Sequence, residues 1–281
     1  MISPATLTDR AHARSKLDGM GGFSVASVVL SYFLVAGGTF LTTLLAARLG
    51  IHNQYLGYLI MAVGGLFGGL LSARASTGST IVEPAVGSVL MVGSLFALGL
   101  GLSDEAGRQM LLLPSSIKEL ALTGGASAGG GVVGAFLAER LFGSSSASSG
   151  PFIIYAMLAS FGAGVIGTIF GFALGKGEAG VFYGIIAICC LLVGLASGAL
   201  ARTRPLLATL VGGAIGVFGF FLLAVIIFVA ILAPMTKEEG IPAEVYIGLA
   251  IVSLGAGIVT MIGATIGWAT VGKKAATAPA A

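Results

Sequence analysis

Long apolar runs alternate with short polar segments from residue 23 to residue 271. An α-helix rises 1.5 Å per residue, so about 20 apolar residues are needed to cross the hydrocarbon core of a bilayer. The runs lack the period-2 alternation of barrel strands, and the pattern therefore predicts an all-α polytopic membrane protein with eight transmembrane helices. The predicted spans are Phe23–Leu49, Tyr55–Ala73, Thr80–Leu102, Ile117–Phe142, Phe152–Leu174, Ala179–Ala201, Pro205–Ala233 and Val245–Val271.

The stretch 37–96 recurs without gaps as 162–221, at an offset of 125 residues, and 15 of the 60 aligned pairs are identical. The fourth and eighth spans also resemble each other, GGGVV (129–133) with GAGIV (255–259), at an offset of 126. We predict two four-helix repeats, residues 22–143 and 151–272. Because four is even, both repeats enter from the same side, which predicts parallel repeats with a pseudo-twofold along the membrane normal.

The segments between the predicted spans indicate which helices are neighbours and where the two repeats begin and end. Short connections after the first, second, fifth and sixth spans predict antiparallel neighbouring helices, whereas 103–116 and 234–244 are predicted to be longer loops. The Ser-rich stretch 144–150 is predicted to be a flexible linker between the repeats. Residues 1–21 are predicted to be a cytoplasmic tail and 273–281 a disordered tail.

The distribution of basic residues predicts the orientation, since Lys and Arg concentrate in short cytoplasmic loops. Nine of the 14 basic residues lie on the side that holds both termini, and both termini are therefore predicted to be cytoplasmic. The short loops and small size favour a bacterial inner membrane. The nine are Arg10, Arg14, Lys16, Arg74, Arg140, Arg202, Arg204, Lys273 and Lys274; the other five are Arg48, Arg108, Lys118, Lys176 and Lys237.

The composition restricts the partners and the chemistry. Hydrophobic residues make up 57% of the chain and charged residues 9%, with a mean hydropathy of +1.06, so the expected partner is the lipid bilayer, with a homo-oligomer or other membrane subunits as further candidates. A net charge of +3 without a basic run argues against nucleic acid. Cys189 and Cys190 align with Gly64 and Gly65 and are interpreted as small packing residues. No spacing fits a metal site, a cofactor motif or a nucleophile–base arrangement, so we expect no metal, no cofactor and no enzyme activity.

Glycines four residues apart recur in the predicted spans and share one helix face, where they let helices approach closely. The chain has 46 glycines. We interpret the spaced pairs as intrachain packing surfaces, with an oligomer interface or a thin-walled pore as sharper alternatives. The predicted packing glycines are Gly64, Gly65, Gly68, Gly69, Gly130, Gly134, Gly167, Gly171, Gly194, Gly198, Gly212, Gly216, Gly263 and Gly267.

Three charged residues could line a polar path: Glu83, Arg74 and Arg202. An acid inside a span often marks an ion or substrate path. The alternative for Glu83 is a cap in the first helical turn, because Thr80-x-x-Glu83 has the spacing of a capping box. For both arginines the alternative is snorkelling to the headgroups.

Two functions are compatible with these features. The sequence favours the first, a small-solute transporter or channel-like facilitator built on the duplication. The alternative is a non-transporting membrane scaffold or assembly subunit that packs through its glycine faces. Convergence of polar groups on one wet cavity would favour transport, and their scattering around a dry core would favour the scaffold. The groups in question are Glu83, Ser72, Ser88, Thr123, Ser127 and Ser197.

A cysteine at Ser146 tests the predicted topology in a background where Cys189 and Cys190 are replaced by alanine. Because the linker is predicted to be cytoplasmic, we expect a membrane-impermeant maleimide to label it only after the membrane is opened. Labelling of intact cells from outside would contradict the predicted topology.

Overall fold

The computed structural model describes residues 24–50, 55–75, 81–142, 152–201, 206–236 and 243–272. The predicted tails 1–21 and 273–281, the linker 144–150 and Arg202 lie outside this part of the chain. The described residues form nine α-helices followed by a π-helical turn at Trp268–Gly272. The helices are α1 (Val25–Arg48), α2 (Leu56–Ala75), α3 (Val82–Leu102), α4 (Glu105–Leu111), α5 (Pro114–Phe142), α6 (Phe152–Gly175), α7 (Ala179–Leu200), α8 (Leu206–Thr236) and α9 (Ala243–Gly267).

Every helix except α4 is long and apolar enough to cross a membrane. The predicted number of eight spans is therefore confirmed among the described residues, and the chain is a polytopic membrane protein in its architecture. In lipid a helix satisfies all of its backbone hydrogen bonds internally, which is why these apolar runs fold as helices.

The segment predicted to be a loop after the third span contains α4, so that prediction was wrong. Asp104 caps this helix, because its carboxylate accepts a hydrogen bond from the backbone N–H of Gly107 at 2.8 Å. The next helix, α5, begins at Pro114, three residues before the predicted Ile117. Proline fits the first helical position because that residue's N–H has no intrahelical acceptor.

The directions of the first helices follow from their contacts. Helix α1 is antiparallel to α2, since a Cβ built on Gly38 would lie 3.3 Å from the carbonyl oxygen of Gly64, and one on Gly68 would lie 3.1 Å from the nitrogen of Val35. Helices α2 and α5 are parallel, because Gly65 meets Ser127 and Gly69 meets Gly131. The expectation of antiparallel neighbours thus holds for α1 and α2, and also for α6 and α7, where Gly167 meets Ile186 and Gly171 meets Phe182.

The same expectation is wrong for the other two short connections. Helices α2 and α3 meet each other far less than either meets α1, and α7 and α8 meet each other far less than either meets α6. Both pairs instead pack on a shared helix, because the central helix of each set offers small residues on more than one face. A short connection fixes where two helix ends lie, and packing decides how the rest of each helix runs.

The centre of the molecule is formed by α1 and α6, the two spans with the largest buried share. Their contact brings together two glycines, since a Cβ built on Gly37 would lie 3.3 Å from the nitrogen of Gly162. Buried apolar residues of α1, α6 and α7 surround this point, among them Phe33, Ala163 and Val193. Helices α2, α3, α7 and α8 pack on this pair, while α5 packs on α2 and α3, and α9 packs on α7 and α8.

All 14 predicted packing glycines lie against a neighbouring helix within the chain. A Cβ built on any of them would come within 3.0 Å of an atom of that helix. In the α2–α5 contact the obstacles are backbone carbonyl oxygens, such as that of Gly131 opposite Gly69. Lipid tails are as apolar as leucine, so close van der Waals packing of this kind supplies the association energy that the hydrophobic effect supplies in water.

Replacement of Gly69 by alanine tests this packing. The added methyl group would overlap the carbonyl oxygen of Gly131, so the helices must separate, and we expect a loss of about 2 kcal/mol in the free energy of unfolding. Reversible unfolding of the purified protein in mixed micelles measures it. Gly93→Ala is the matched control, because no atom lies within 4 Å of the added group. Equal stability of the two variants would contradict the packing role.

Candidate polar site between α1 and α3

The predicted path residues lie at helix ends. Glu83 is in the first turn of α3 and is only 4% exposed. Arg74 is in the last turn of α2 and is half-buried, while Arg202 lies outside the described residues. The described part of the chain therefore contains one buried carboxylate at a helix start, and the question is what holds it there.

Glu83 caps a helix other than its own. Its Oε1 accepts a hydrogen bond from the backbone N–H of Ser24 at 3.2 Å, and Ser24 is the N-cap residue of α1. The Ser24 hydroxyl in turn accepts from the backbone N–H of Ser27 at 3.3 Å. In a capping box both acceptors belong to one helix, with an acid at the third helical position that reaches back to the N-cap N–H. Here Ser27 occupies that position, and Glu83 supplies the carboxylate from α3.

The predicted local box with Thr80 is not what positions Glu83. The N-cap residue of α3 is Ile81, which makes no side-chain cap hydrogen bond, and Thr80 lies outside the described residues. The carboxylate lies beside the amino ends of both α1 and α3, where the helix dipoles favour negative charge. This explains how an acid can be buried next to a membrane span with a peptide N–H as partner.

Polar side chains continue along the contact of α1 with α3, and we call this set the α1–α3 polar seam. Ser31 donates to the carbonyl oxygen of Ser27 at 2.7 Å, and Ser88 donates to that of Pro84 at 2.8 Å. Deeper in the span, the hydroxyl groups of Tyr32 and Ser94 are 2.8 Å apart. The members of the seam are Ser24, Ser27, Ser31 and Tyr32 on α1, and Glu83, Ser88 and Ser94 on α3.

One hydroxyl group in the seam lacks a partner. Ser27 is fully buried, and its Oγ makes no hydrogen bond within the described structure. Glu83 and Ser94 are 11 positions apart on α3, so the seam is about 16 Å long at a rise of about 1.5 Å per residue. It thus extends from the amino end of the helix to about half the thickness of a bilayer core.

Sequence reasoning identified Glu83 and Ser88 but missed the other members of the seam. The internal alignment could have revealed the missed members. Every seam position whose counterpart 125 residues later is described aligns with an apolar or small residue. Those counterparts are Phe152, Ala156, Met157, Ala208, Gly213 and Gly219. At these six positions the polar side chains occur in the first half alone.

The other predicted polar groups do not gather in one place. Ser72 donates to the carbonyl oxygen of Gly69 in its own helix, at 3.2 Å. Ser127 is buried without a hydrogen-bond partner, and its backbone lies against Gly65 on the α2–α5 contact. Ser197 is buried on α7, in the other half of the chain. Ser72, Ser127 and Ser197 lie on three different helices, α2, α5 and α7.

A cavity of about 290 Å³ lies between α1, α2 and α6, and it is apolar. Thr42 is the only residue lining it that has a polar side chain, and its hydroxyl donates to the carbonyl oxygen of Gly38 at 2.7 Å. The cavity is lined by none of the six predicted polar residues Glu83, Ser72, Ser88, Thr123, Ser127 and Ser197. The lining residues are Leu34, Gly37, Gly38, Leu41, Thr42, Leu45, Phe67, Leu71, Leu158 and Phe161.

Metal chemistry finds no support in the described ranges. Within them, no three His, Cys, Asp or Glu side chains are grouped closely enough to hold an ion. Cys189 and Cys190 are buried free thiols on α7.

Comparison of the chain with protein-family models, curated proteins and solved structures finds no match.

The role of Glu83 can be tested by two substitutions. Glu83→Leu leaves the buried N–H of Ser24 without its acceptor, so we expect a loss of about 2 kcal/mol in the free energy of unfolding. Glu83→Gln keeps a carbonyl oxygen and should lose less than half of that. Exposed Glu105, in the first turn of α4, provides the control Glu105→Leu. Wild-type stability of Glu83→Leu would show that the interhelical cap contributes nothing.

Proposed function

We propose that the chain is built from two parallel repeats of four spanning helices each, related by a pseudo-twofold along the membrane normal. The first repeat holds α1, α2, α3 and α5, with the short α4 between the last two, and the second holds α6–α9. Support comes from contacts that recur at the offset of the sequence alignment. A Cβ on Gly87 of α3 would meet three residues of α1, and a Cβ on Gly212 of α8 would meet the three residues of α6 that lie 125 positions later. The first three are Val28, Ser31 and Tyr32; the second three are Ile153, Ala156 and Met157.

The proposed axis passes through the contact of Gly37 with Gly162, which are themselves 125 residues apart. The contact is reciprocal: a Cβ on Gly162 would meet the carbonyl oxygen of Phe33, and one on Gly37 would lie 3.4 Å from that of Leu158, the counterpart of Phe33. Self-complementary contact of equivalent residues is what a twofold axis produces. The Ser146 labelling experiment tests the parallel arrangement.

The contacts also favour a different alignment of the last helix in each repeat. Gly134 of α5 meets the carbonyl oxygen of Leu66, and Gly263 of α9 meets that of Leu191, the counterpart of Leu66. This pairs Gly134 with Gly263 at an offset of 129, whereas the short motif match suggested 126. Because the preceding spans align at an offset of 125, an offset of 129 places four extra residues after the aligned block, before α9. Cytoplasmic termini and an inner-membrane location remain part of the proposal.

For its function, we propose a non-transporting membrane scaffold or assembly subunit that acts through the surfaces of its helices. One observation carries this: the cavity between α1, α2 and α6 is apolar and none of the predicted polar groups lines it, while Ser72 and Ser88 donate to carbonyl oxygens of their own helices. A path for ions or polar solutes needs polar groups along a shared wet space. Glu83 is accounted for as an interhelical cap and needs no role in transport.

Small-solute transport or channel-like facilitation is the second candidate, and the α1–α3 polar seam favours it. The seam is confined to one repeat and contains the unpartnered hydroxyl group of Ser27. If water entered beside Ser27, Glu83 and the hydroxyl groups would form a path through half of the membrane. Arg74 and Arg202 could then act at its cytoplasmic mouth.

Solute flux in proteoliposomes distinguishes the two functions. We expect vesicles with the wild-type protein to pass urea, glycerol, K⁺ and Cl⁻ no faster than protein-free vesicles, because a dry helix bundle offers no polar path. Glu83→Gln, which keeps an acceptor for Ser24, should give the same result. Flux that falls in Glu83→Gln would overturn the proposal and place a path in the first repeat. Flux that is equal in both proteins would also favour transport but leave Glu83 as a cap.

A further inference from the structure

The apolar cavity is a groove that opens sideways on the surface of the spans. Leu41, Leu45 and Phe67 line it and are 40%, 60% and 50% exposed. On spanning helices such surface faces the hydrocarbon of the bilayer, so the groove is continuous with the lipid-facing surface. Its inner wall is the contact of α1 with α6, where Gly37 and Leu158 lie. An apolar ligand could therefore enter from the membrane without crossing a polar layer.

The corresponding place in the second half is closed. Leu41 has Ile166 as its counterpart, and Ile166 is only 3% exposed. Helix α7 packs against α1 more extensively than α2 packs against α6, and this fills the equivalent space. The groove is thus a feature of one half, as is the polar seam, and it is not a gap that the repeated architecture imposes.

The volume of the groove suits a single alkyl chain. At 290 Å³ it has room for on the order of ten methylene groups, if each takes up about the 30 Å³ of a liquid water molecule. Its lining residues on α1 recur every three or four positions from Leu34 to Leu45, so the groove runs along the helix. An extended chain lying parallel to α1 matches this shape.

A cation stands at the membrane-surface end of the same helix face. Arg48 follows Leu45 by three residues, lies in the last turn of α1 and is exposed. At the end of a span, an arginine reaches the headgroup layer and attracts anionic groups there. Its planar guanidinium can bind a phosphate through two hydrogen bonds.

From this combination we propose that the groove is a phospholipid site, with one acyl chain between α1, α2 and α6 and the headgroup phosphate on Arg48. The inference deepens the proposed contact function and rests on it, since a bound lipid would become part of the surface that this subunit presents. The polar seam is not involved. The ligand class is an anionic glycerophospholipid of the surrounding bilayer.

Native mass spectrometry of the purified protein, delipidated and then titrated with dioleoyl phosphatidylglycerol, tests the acyl-chain position. We expect the wild type to retain one lipid through activation that strips the others. Leu41→Trp fills the groove from a partly exposed position and should retain none. Leu90→Trp is the matched control, because Leu90 is 52% exposed on α3 and does not line the groove. Unfolding curves in the same detergent verify that both variants are folded.

The phosphate position is tested with dioleoylglycerol, which has the same chains and no phosphate. The wild type should prefer phosphatidylglycerol by about fivefold, as expected for one basic side chain near an anionic headgroup. Arg48→Ala should abolish the preference and Arg48→Lys should keep part of it. Lys118→Ala, at another exposed basic residue, should leave the preference unchanged.

Retention of lipid by Leu41→Trp at the wild-type level would overturn the acyl-chain site, and an unchanged preference in Arg48→Ala would overturn the phosphate site. These failures are separate from failure of the proposed function. Solute flux with normal lipid retention would refute the scaffold function alone. Absence of both flux and retained lipid would refute the groove alone.

Discussion

Direct contact between helix backbones is the interaction on which this structure depends. Between α2 and α5, and again between α7 and α9, glycines on one helix lie against carbonyl oxygens of the other, so the helices touch without intervening side chains. In water such a contact would add little to the burial of large apolar groups. In lipid it is the main source of attraction, because dispersion forces grow with the number of atoms in close contact. The abundance of glycine, which would weaken a soluble helix, is what lets these spans associate.

The same constraint explains where polar groups are tolerated. An acceptor stabilises a hydroxyl group that is surrounded by apolar side chains, and Ser31 and Ser88 have one in their own helices. Burial of the Glu83 carboxylate costs more solvation free energy than burial of a hydroxyl group. This cost is offset because the carboxylate lies between two helix amino ends and accepts a hydrogen bond from the N–H of Ser24. The carboxylate ties the starts of α1 and α3 together, so a residue that resembles an ion-path acid stabilises the bundle.

The two halves of the chain have similar glycine contacts but different side chains around them. Around Gly87 and Gly212 the neighbours correspond one for one, yet only the first half has a polar seam and an open groove. Substitution of side chains at preserved glycine contacts changes local chemistry without moving the helices. An aromatic cluster of Phe40, Phe161 and Phe220 shows the same divergence, since the counterparts of these residues are Val165, Ala36 and Leu95. Under the proposed function, the first half carries the features that would recognise a lipid or a partner.

The number of spans and their positions to within a few residues could be predicted from the sequence, because hydropathy over about 20 residues measures whether a segment can cross a bilayer. The sequence also marked Glu83 as unusual and the spaced glycines as contact surfaces. It did not reveal α4, whose length and polar start fall outside any span pattern. Only the folded structure shows which helices are neighbours, that Glu83 caps α1 and not its own helix, and that the hydroxyl groups of Tyr32 and Ser94 meet. It also decided that the space beside Gly37 stays open while the place of Ile166 is filled. These properties depend on contacts between residues distant in the chain, and periodicity within a single helix carries no information about which face will meet which partner.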